Sequence, residues 1–164
     1  MGANYGGYPS RGPGFRGGNS DRGGNGAYGN KKAPVEPPKP IEAMPLPANY
    51  VDEAERVIGE GNWSKEITTS KIRRLFSLFT DIYNDEIRRT AETISAESSA
   101  RLRLAQIRML YEAGRDGKTK QFLKSARLVE YLKDIGSSRA KLLDYFHYME
   151  ALVAYHKYYG GKEA

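Results

Sequence analysis

The distribution of proline constrains the fold of this 164-residue chain more than any other feature of the sequence. All eight prolines and eleven of the eighteen glycines precede residue 49, and residues 49–164 contain no proline. A chain of this length rarely holds two hydrophobic cores, so the asymmetry indicates one domain and one disordered tail. We expect a tail over residues 1–48 and a domain over residues 49–164, which is long enough to bury a core without disulfides or metals.

The tail has two parts of different composition. Residues 1–30 are about one-third glycine with almost no aliphatic side chains, and they contain two Arg-Gly-Gly triplets that begin at Arg16 and Arg22. Such a segment cannot bury enough surface to offset the entropy of ordering it. Arginine, aromatic and glycine residues together suit weak binding of single-stranded nucleic acid, although a flexible solubilising leader has the same composition. Residues 31–48 are proline-rich and are expected to form an extended spacer.

Apolar residues after position 49 recur at steps of three and four, which is the spacing of amphipathic helices. Together with capping residues and glycines at the ends, this spacing predicts five helices and no strand. The predicted helices span residues 50–60, 69–95, 98–115, 118–135 and a last segment, capped by Ser137 or Ser138, that runs to Tyr159. The expected fold class is therefore all-α, a compact bundle.

The last predicted helix is apolar on two faces. A helix that is apolar almost all round either lies at the centre of its bundle or is covered by a partner. If a partner covers it, the residues of the docking face are Tyr145, Tyr148, Leu152, Tyr155 and Tyr159.

No pattern in the sequence indicates catalysis, a metal or a cofactor. The absence of cysteine excludes disulfides, thiolate zinc sites and a cysteine nucleophile. His147 and His156 are nine positions apart, too far for a two-ligand pair on one helix, and Asp81 and Asp85 read as part of a solvated face. No apolar run approaches the ~20 residues of a membrane helix, and no apolar signal segment opens the chain. We expect a cytoplasmic protein with no membrane association.

The net charge of +6 and the pI near 9.4 allow a polyanionic partner. Basic residues cluster at the start of the second predicted helix and along the fourth, where helical phase places positions 120, 124 and 127 on one face. Cations at a helix N-terminus oppose the helix dipole, and bound phosphate would account for that arrangement. The simpler interpretation is that these side chains only solvate the bundle. No base-reading motif is present, so any contact would be to the nucleic-acid backbone.

Three segments resemble the small helical subunit of type III-A CRISPR effector complexes, the Csm complexes. Residues 67–76 (ITTSKIRRLF) resemble the opening motif of that family, residues 109–116 (MLYEAGRD) its tyrosine–arginine signature, and residues 146–161 (FHYMEALVAYHKYYGG) its C-terminal signature. The resemblance extends over roughly residues 60–161 and leaves out the tail.

The resemblance implies a non-catalytic subunit that is present in several copies and helps to bind RNA. Its partners would be the guide RNA, the single-stranded target RNA, the backbone and large subunits of the complex, and further copies of itself. Guide–target pairing would carry the sequence information, so the protein need contact only the backbone. The candidate RNA contacts in matched motifs are Lys71, Arg73, Arg74 and Arg115, and helical phase adds Lys118, Lys120, Lys124 and Arg127.

Several alternatives remain open at the level of the sequence. Arg73 or Arg115 could instead pair with Glu112 or Glu150 inside the domain. The whole bundle could be a purely structural protein-docking module, or the chain could be an autonomous RNA-binding protein that acts through its Arg-Gly-Gly tail.

Overall fold

The computed structural model describes residues 37–163, and over that range it contains seven α-helices and no strand. The predicted all-α fold class is confirmed, with two more helices than the five expected. The helices are α1 Tyr50–Glu60, α2 Trp63–Glu66, α3 Thr69–Glu86, α4 Ala96–Arg115, α5 Gly117–Ser125, α6 Leu128–Asp134 and α7 Arg139–Tyr158. The predicted disorder of residues 1–36 and the weak contacts Arg16 and Arg22 lie outside the described residues.

Helix α7 forms the centre of the bundle. It packs against α1 on one side and α3 on another, and α4 packs against α3 and α5. Its side chains at Tyr145, Tyr148 and Leu152 are at most 1% exposed. Of the two interpretations of a helix that is apolar almost all round, the central position is correct for these residues.

The helix starts are set by local capping. The side chains of Thr68, Ser95 and Ser138 each accept a hydrogen bond from the backbone N–H three residues on, at the starts of α3, α4 and α7. Asn49 precedes α1 as predicted, although its side chain makes no capping bond. These bonds satisfy backbone donors that the first turn of a helix leaves without partners.

The predicted helix 118–135 is wrong as a single element, because it is broken between α5 and α6. The hydroxyl of Tyr148 donates to the carbonyl of Ala126 at 2.9 Å, and that of Tyr145 donates to the carbonyl of Leu128 at 3.0 Å. These buried hydroxyls from α7 satisfy carbonyls beside the break, where Arg127 adopts a left-handed backbone conformation. The expected single face of positions 120, 124 and 127 does not exist, since Arg127 lies at the junction.

The second predicted helix also ends early, at Glu86 and not at residue 95. The Glu86 carboxylate is fully buried and accepts from Arg89 at 2.8 Å and from the N–H of Ser95 at 3.0 Å. Burial acts to raise its pKa, but hydrogen bonds from Ser98, Ser95 and Arg89 outweigh burial and lower the pKa to about 2. The carboxylate thereby folds the chain back so that α4 can begin beside the end of α3.

Part of the predicted spacer packs on the bundle. The N–H of Met44 donates to the carbonyl of Glu130 at 3.0 Å, and Lys133 donates to the carbonyl of Ile41 at 2.6 Å. Met44 and Leu46 are partly buried against the core. The folded unit begins at Lys39, earlier than the predicted boundary at Asn49.

Helix α4 differs from α7 in keeping a large apolar surface exposed. Leu104, Ile107 and Tyr111 are 54%, 63% and 63% exposed, respectively. Their spacing of three and four places them on one side of the helix. None of the helices in the described part of the chain is long and apolar enough to cross a membrane.

Candidate nucleic-acid interface

A groove lies where the first turns of α3 meet the end of α4 and the start of α5. Leu75 contributes an apolar surface to it, and its polar lining consists of Lys71, Arg74, Glu112, Arg115, Asp116 and Thr119. Three of the sequence-predicted RNA contacts, from positions 71, 74 and 115, are therefore brought together. The three cations and two carboxylates leave the groove with a formal charge of +1.

Asp116 fixes the position of Lys71. Its carboxylate caps α5, accepting from the N–H and hydroxyl of Thr119 at 3.2 and 2.5 Å, and it lies 2.8 Å from the ammonium of Lys71. The hydrogen bond from Lys71, followed by that from Thr119, lowers the pKa of Asp116 far below its usual value. The ammonium of Lys71 is therefore held at the edge of the groove by a carboxylate that stays ionised.

Arg74 supplies the ion pair with Glu112, at 3.0 Å. The sequence had offered Arg73 or Arg115 as the intramolecular partner, but neither pairs with Glu112 or with Glu150 in the described part of the chain. The side chain of Arg74 is 66% exposed. An exposed pair of this kind contributes little to stability, so an incoming phosphate can compete for the guanidinium.

Arg115 has no carboxylate within ion-pair distance among residues 37–163. Its guanidinium carbon lies 5.6 Å from the ring centre of Tyr111, within range of a cation–π interaction. Because Tyr111 is 63% exposed, the pair presents a positive charge and an open aromatic face side by side. This combination can hold a phosphate and stack an unpaired base.

The other candidate contacts are dispersed. Lys118 is paired with Glu66, and Arg73 is exposed on α3. Lys120 and Lys124 line a separate, mainly apolar groove with Leu110. Arg127 stands at the α5–α6 junction, where it also borders a further groove shared with Lys124.

Sequence reasoning missed Tyr111 and Arg108 as functional candidates. Both side chains are exposed on α4, within the two helical turns that precede Arg115. The spacing of three and four from Arg108 to Tyr111 to Arg115 was the available signal, because it places all three on one side of a helix.

The two histidines and Asp85 make contacts within the bundle. His156 is fully buried, with Nε2 2.9 Å from the carbonyl of Ile67 and Nδ1 3.3 Å from the hydroxyl of Thr69. His147 contacts the hydroxyl of Tyr83 at 3.2 Å. Asp85 pairs with Arg101, 2.6 Å away. Over residues 37–163, no three histidine or acidic side chains come together as metal ligands would.

The predicted docking face on α7 requires correction. Tyr145, Tyr148 and Leu152 are buried inside the bundle, and the hydroxyls of the two tyrosines are used at the α5–α6 break. They cannot form an external surface. Tyr155 is partly buried, and Tyr159 is 43% exposed with its hydroxyl donating to Glu55 at 2.7 Å.

Comparison with known proteins gives one consistent result. A family model described as Csm2 Type III-A matches residues 46–162. A Streptococcus thermophilus protein named CRISPR system Cms protein Csm2 is 40% identical over 121 residues, covering 70% of this chain and 94% of the relative. A Mycobacterium tuberculosis protein of the same name is 33% identical over 117 residues, with the same two coverages. Another from Enterococcus italicus is 32% identical over 96 residues, covering 57% of this chain and 68% of the relative.

Proposed function

This chain belongs to the Csm2 family of type III-A CRISPR systems, and on that premise we propose that it contacts RNA through the groove between α3 and α4. The family is that of a subunit of the Csm complex, so the other Csm subunits are its partners. In this proposal the protein does not catalyse a reaction, and the complex acts in the cytoplasm. The protein binds the sugar–phosphate backbone of the guide RNA and of the single-stranded target RNA in antiviral defence. Its neighbours in the complex are the subunits called backbone subunits, the large subunit and further copies of itself.

One observation carries the RNA-contacting part of the proposal. Arg115 lacks a carboxylate partner in the described residues and lies over the exposed ring of Tyr111, at the edge of a groove that also holds Lys71 and Arg74. Phosphate attracts the cations, and a splayed base stacks on the tyrosine. Such contacts recognise charge and shape, which suffices where base pairing with a guide reads the sequence.

The proposed contacts differ in what RNA must displace. Lys71 and Arg74 must exchange a surface carboxylate for a phosphate, whereas Arg115 has no carboxylate partner to give up within residues 37–163. Arg115 is therefore expected to contribute most. Arg73, Lys118, Lys120, Lys124 and Arg127 remain candidate contacts on neighbouring surfaces.

The docking part of the proposal involves two surfaces of the bundle. Tyr155 and Tyr159 remain candidates from the predicted α7 face, because part of each ring reaches the surface. The exposed apolar row Leu104, Ile107 and Tyr111 on α4 is a second surface of the kind that marks protein interactions. A purely structural docking module would use these surfaces and leave the cations without a ligand.

A salt series tests the proposal against this alternative and against action through the tail. Full-length protein and a variant lacking residues 1–38 are titrated with a labelled single-stranded RNA of about 30 nucleotides, with circular dichroism to check the helical content. We expect both to bind, with affinity that falls steeply as salt increases, since phosphate contacts release counterions. Binding by the full-length chain alone would assign the activity to the tail, and no binding by either would favour the docking module.

A further inference from the structure

A second groove lies between the turn that joins α1 to α2 and the junction of α5 with α6. Arg56, Lys124 and Arg127 supply its cations, Glu60 its one carboxylate, and Trp63 part of its wall. Three positive charges against one negative charge give the lining a formal charge of +2, and Glu53, which pairs with Arg56, brings the balance to +1, equal to that of the α3–α4 groove. By formal charge this second groove can attract an anion as well as the α3–α4 groove does.

The cations of this groove differ in how far they are engaged. Arg56 is held by Glu53 at 2.7 Å and by Glu60 at 2.5 Å. Lys124 and Arg127 have no ion-pair partner in the part of the chain that the structure describes. The one polar contact of the Arg127 guanidinium there is with the sulfur of Met44 at 2.8 Å, and a thioether is a weak acceptor. Most of the donors of this guanidinium are therefore available to a ligand.

The backbone of Arg127 is strained, which indicates that its side chain has a function. The residue has φ 48° and ψ 35°, in the left-handed region that glycine occupies most easily. Glycine at this junction would relieve the strain, yet the chain carries a long cationic residue. Strain of this kind is concentrated at functional sites.

Trp63 provides a second, independent observation. The residue is 6% exposed, and its indole N–H is buried with no acceptor among the described residues. A side chain at Gly61 would collide with this indole, and the next residue, Asn62, is also left-handed with φ 50°. The wall of the groove therefore contains a buried donor that has no acceptor in the described part of the chain.

We propose that this groove is a phosphate-binding site in which Lys124 and Arg127 hold the anion. The hydroxyl of Ser125, which also lines the groove, is a further donor. The phosphate is either a phosphodiester of bound RNA or a free phosphate group. In the first case the inference deepens the proposed function by adding a second contact on the RNA path, and in the second it stands without it.

The only tryptophan of the chain lines this groove, so its fluorescence can report the occupancy directly. The full-length protein is titrated with inorganic phosphate at constant ionic strength, and separately with single-stranded RNA. We expect a saturable change in emission with at least one of these probes. A response to RNA alone identifies phosphodiesters as the ligand, and a response to both includes free phosphate. No response to either would overturn the proposal.

Two variants separate binding from folding. Arg127→Gly removes the guanidinium and relieves the left-handed strain, so it should melt at the wild-type temperature or above while its affinity for the responding probe falls at least about fivefold. The matched control is Asn62→Gly, which relieves the other left-handed residue but leaves the cations in place, and it should retain the response. Wild-type affinity in Arg127→Gly would refute the site.

A third variant, Lys124→Gln, tests the site even if Arg127→Gly does not fold. Lys124→Gln replaces an exposed residue of α5 and should also lower the affinity for the probe. Unchanged affinity in this variant would count against the site. Arg115→Ala distinguishes this inference from the proposed function, because it should weaken RNA binding without changing the fluorescence response to inorganic phosphate.

Discussion

Helices α4 and α7 are both 20 residues long and both carry apolar residues beyond one narrow face, yet they occupy opposite environments. α7 is surrounded by other helices and buries Tyr145, Tyr148 and Leu152. α4 packs on one side only and leaves Leu104 and Ile107 more than half exposed.

The comparison teaches that an excess of apolar residues marks a helix that needs cover, but not what provides the cover. For α7 the cover comes from the same chain. For α4 it is incomplete within residues 37–163. The distinction lies in buried polar groups, since the hydroxyls of Tyr145 and Tyr148 on α7 have specific backbone partners, whereas the hydroxyl of Tyr111 on α4 has no hydrogen bond among residues 37–163.

The largest expected effect is in the centre of α7. Tyr148→Ala removes a fully buried ring and leaves the carbonyl of Ala126 without its partner, so we expect a loss of about 3–5 kcal/mol in the free energy of unfolding. Urea denaturation followed by circular dichroism measures it. The matched control Tyr111→Ala on α4 should change stability by less than about 0.5 kcal/mol. Similar losses in the two variants would contradict the distinction between the helices.

The next effect concerns the connection between α3 and α4. The pKa of Glu86 is about 2 in the folded protein, below its ordinary value of 4.5, so its ionised form stabilises the fold above pH 4.5. This stabilisation should disappear as the pH falls from 4.5 towards 2. Glu86→Gln should lower the free energy of unfolding by roughly 2 kcal/mol at pH 7, and the free energy of unfolding of this variant should fall less steeply in acid than that of the wild type.

A neighbouring carboxylate provides the control for Glu86. Asp85 is exposed and pairs with Arg101 on the surface, so Asp85→Asn should cost less than about 1 kcal/mol and keep the wild-type acid dependence. If Glu86→Gln also keeps the wild-type acid dependence, Glu86 is not the group that titrates.

The smallest effects concern the residues that cap the two helices. Ser95 caps α4 and Ser138 caps α7, each through one bond from its side chain to a backbone N–H. Ser138→Ala should lower the free energy of unfolding by about 1 kcal/mol in urea denaturation, because capping is local. Ser95→Ala should lower it somewhat more, because the Ser95 side chain also hydrogen-bonds the Glu86 carboxylate. A much larger cost at Ser138 would show that the start of α7 is also held by tertiary contacts of this side chain.

The sequence predicted those parts of the fold that local signals determine. The bounds of α1 and the start of α7 follow from apolar spacing and capping residues. The break between α5 and α6 could not be predicted, because it depends on the hydroxyls of Tyr145 and Tyr148, which are 17 and 22 residues away from their acceptors. The early end of α3 likewise depends on the burial of Glu86.

The candidate site was predictable to a similar extent. Motif residues 71, 74 and 115 do meet at one groove. Their carboxylate partners were not predictable, since Asp116 is 45 residues from Lys71 and spacing along one helix gives no information across two. The predicted face of positions 120, 124 and 127 was wrong because helical phase ends where the helix breaks.

The affinity of Arg115→Ala for RNA tests the central claim most directly. Wild-type protein, Arg115→Ala and Arg88→Ala are titrated with labelled single-stranded RNA at several salt concentrations. Arg88 is also exposed, but it follows the far end of α3, roughly 20 Å along the helix from Lys71. We predict that Arg115→Ala lowers affinity about three- to tenfold at low salt and reduces the salt slope by about 0.7, while Arg88→Ala stays within about twofold of wild type. Equal effects of the two substitutions would contradict an RNA contact at the α3–α4 groove.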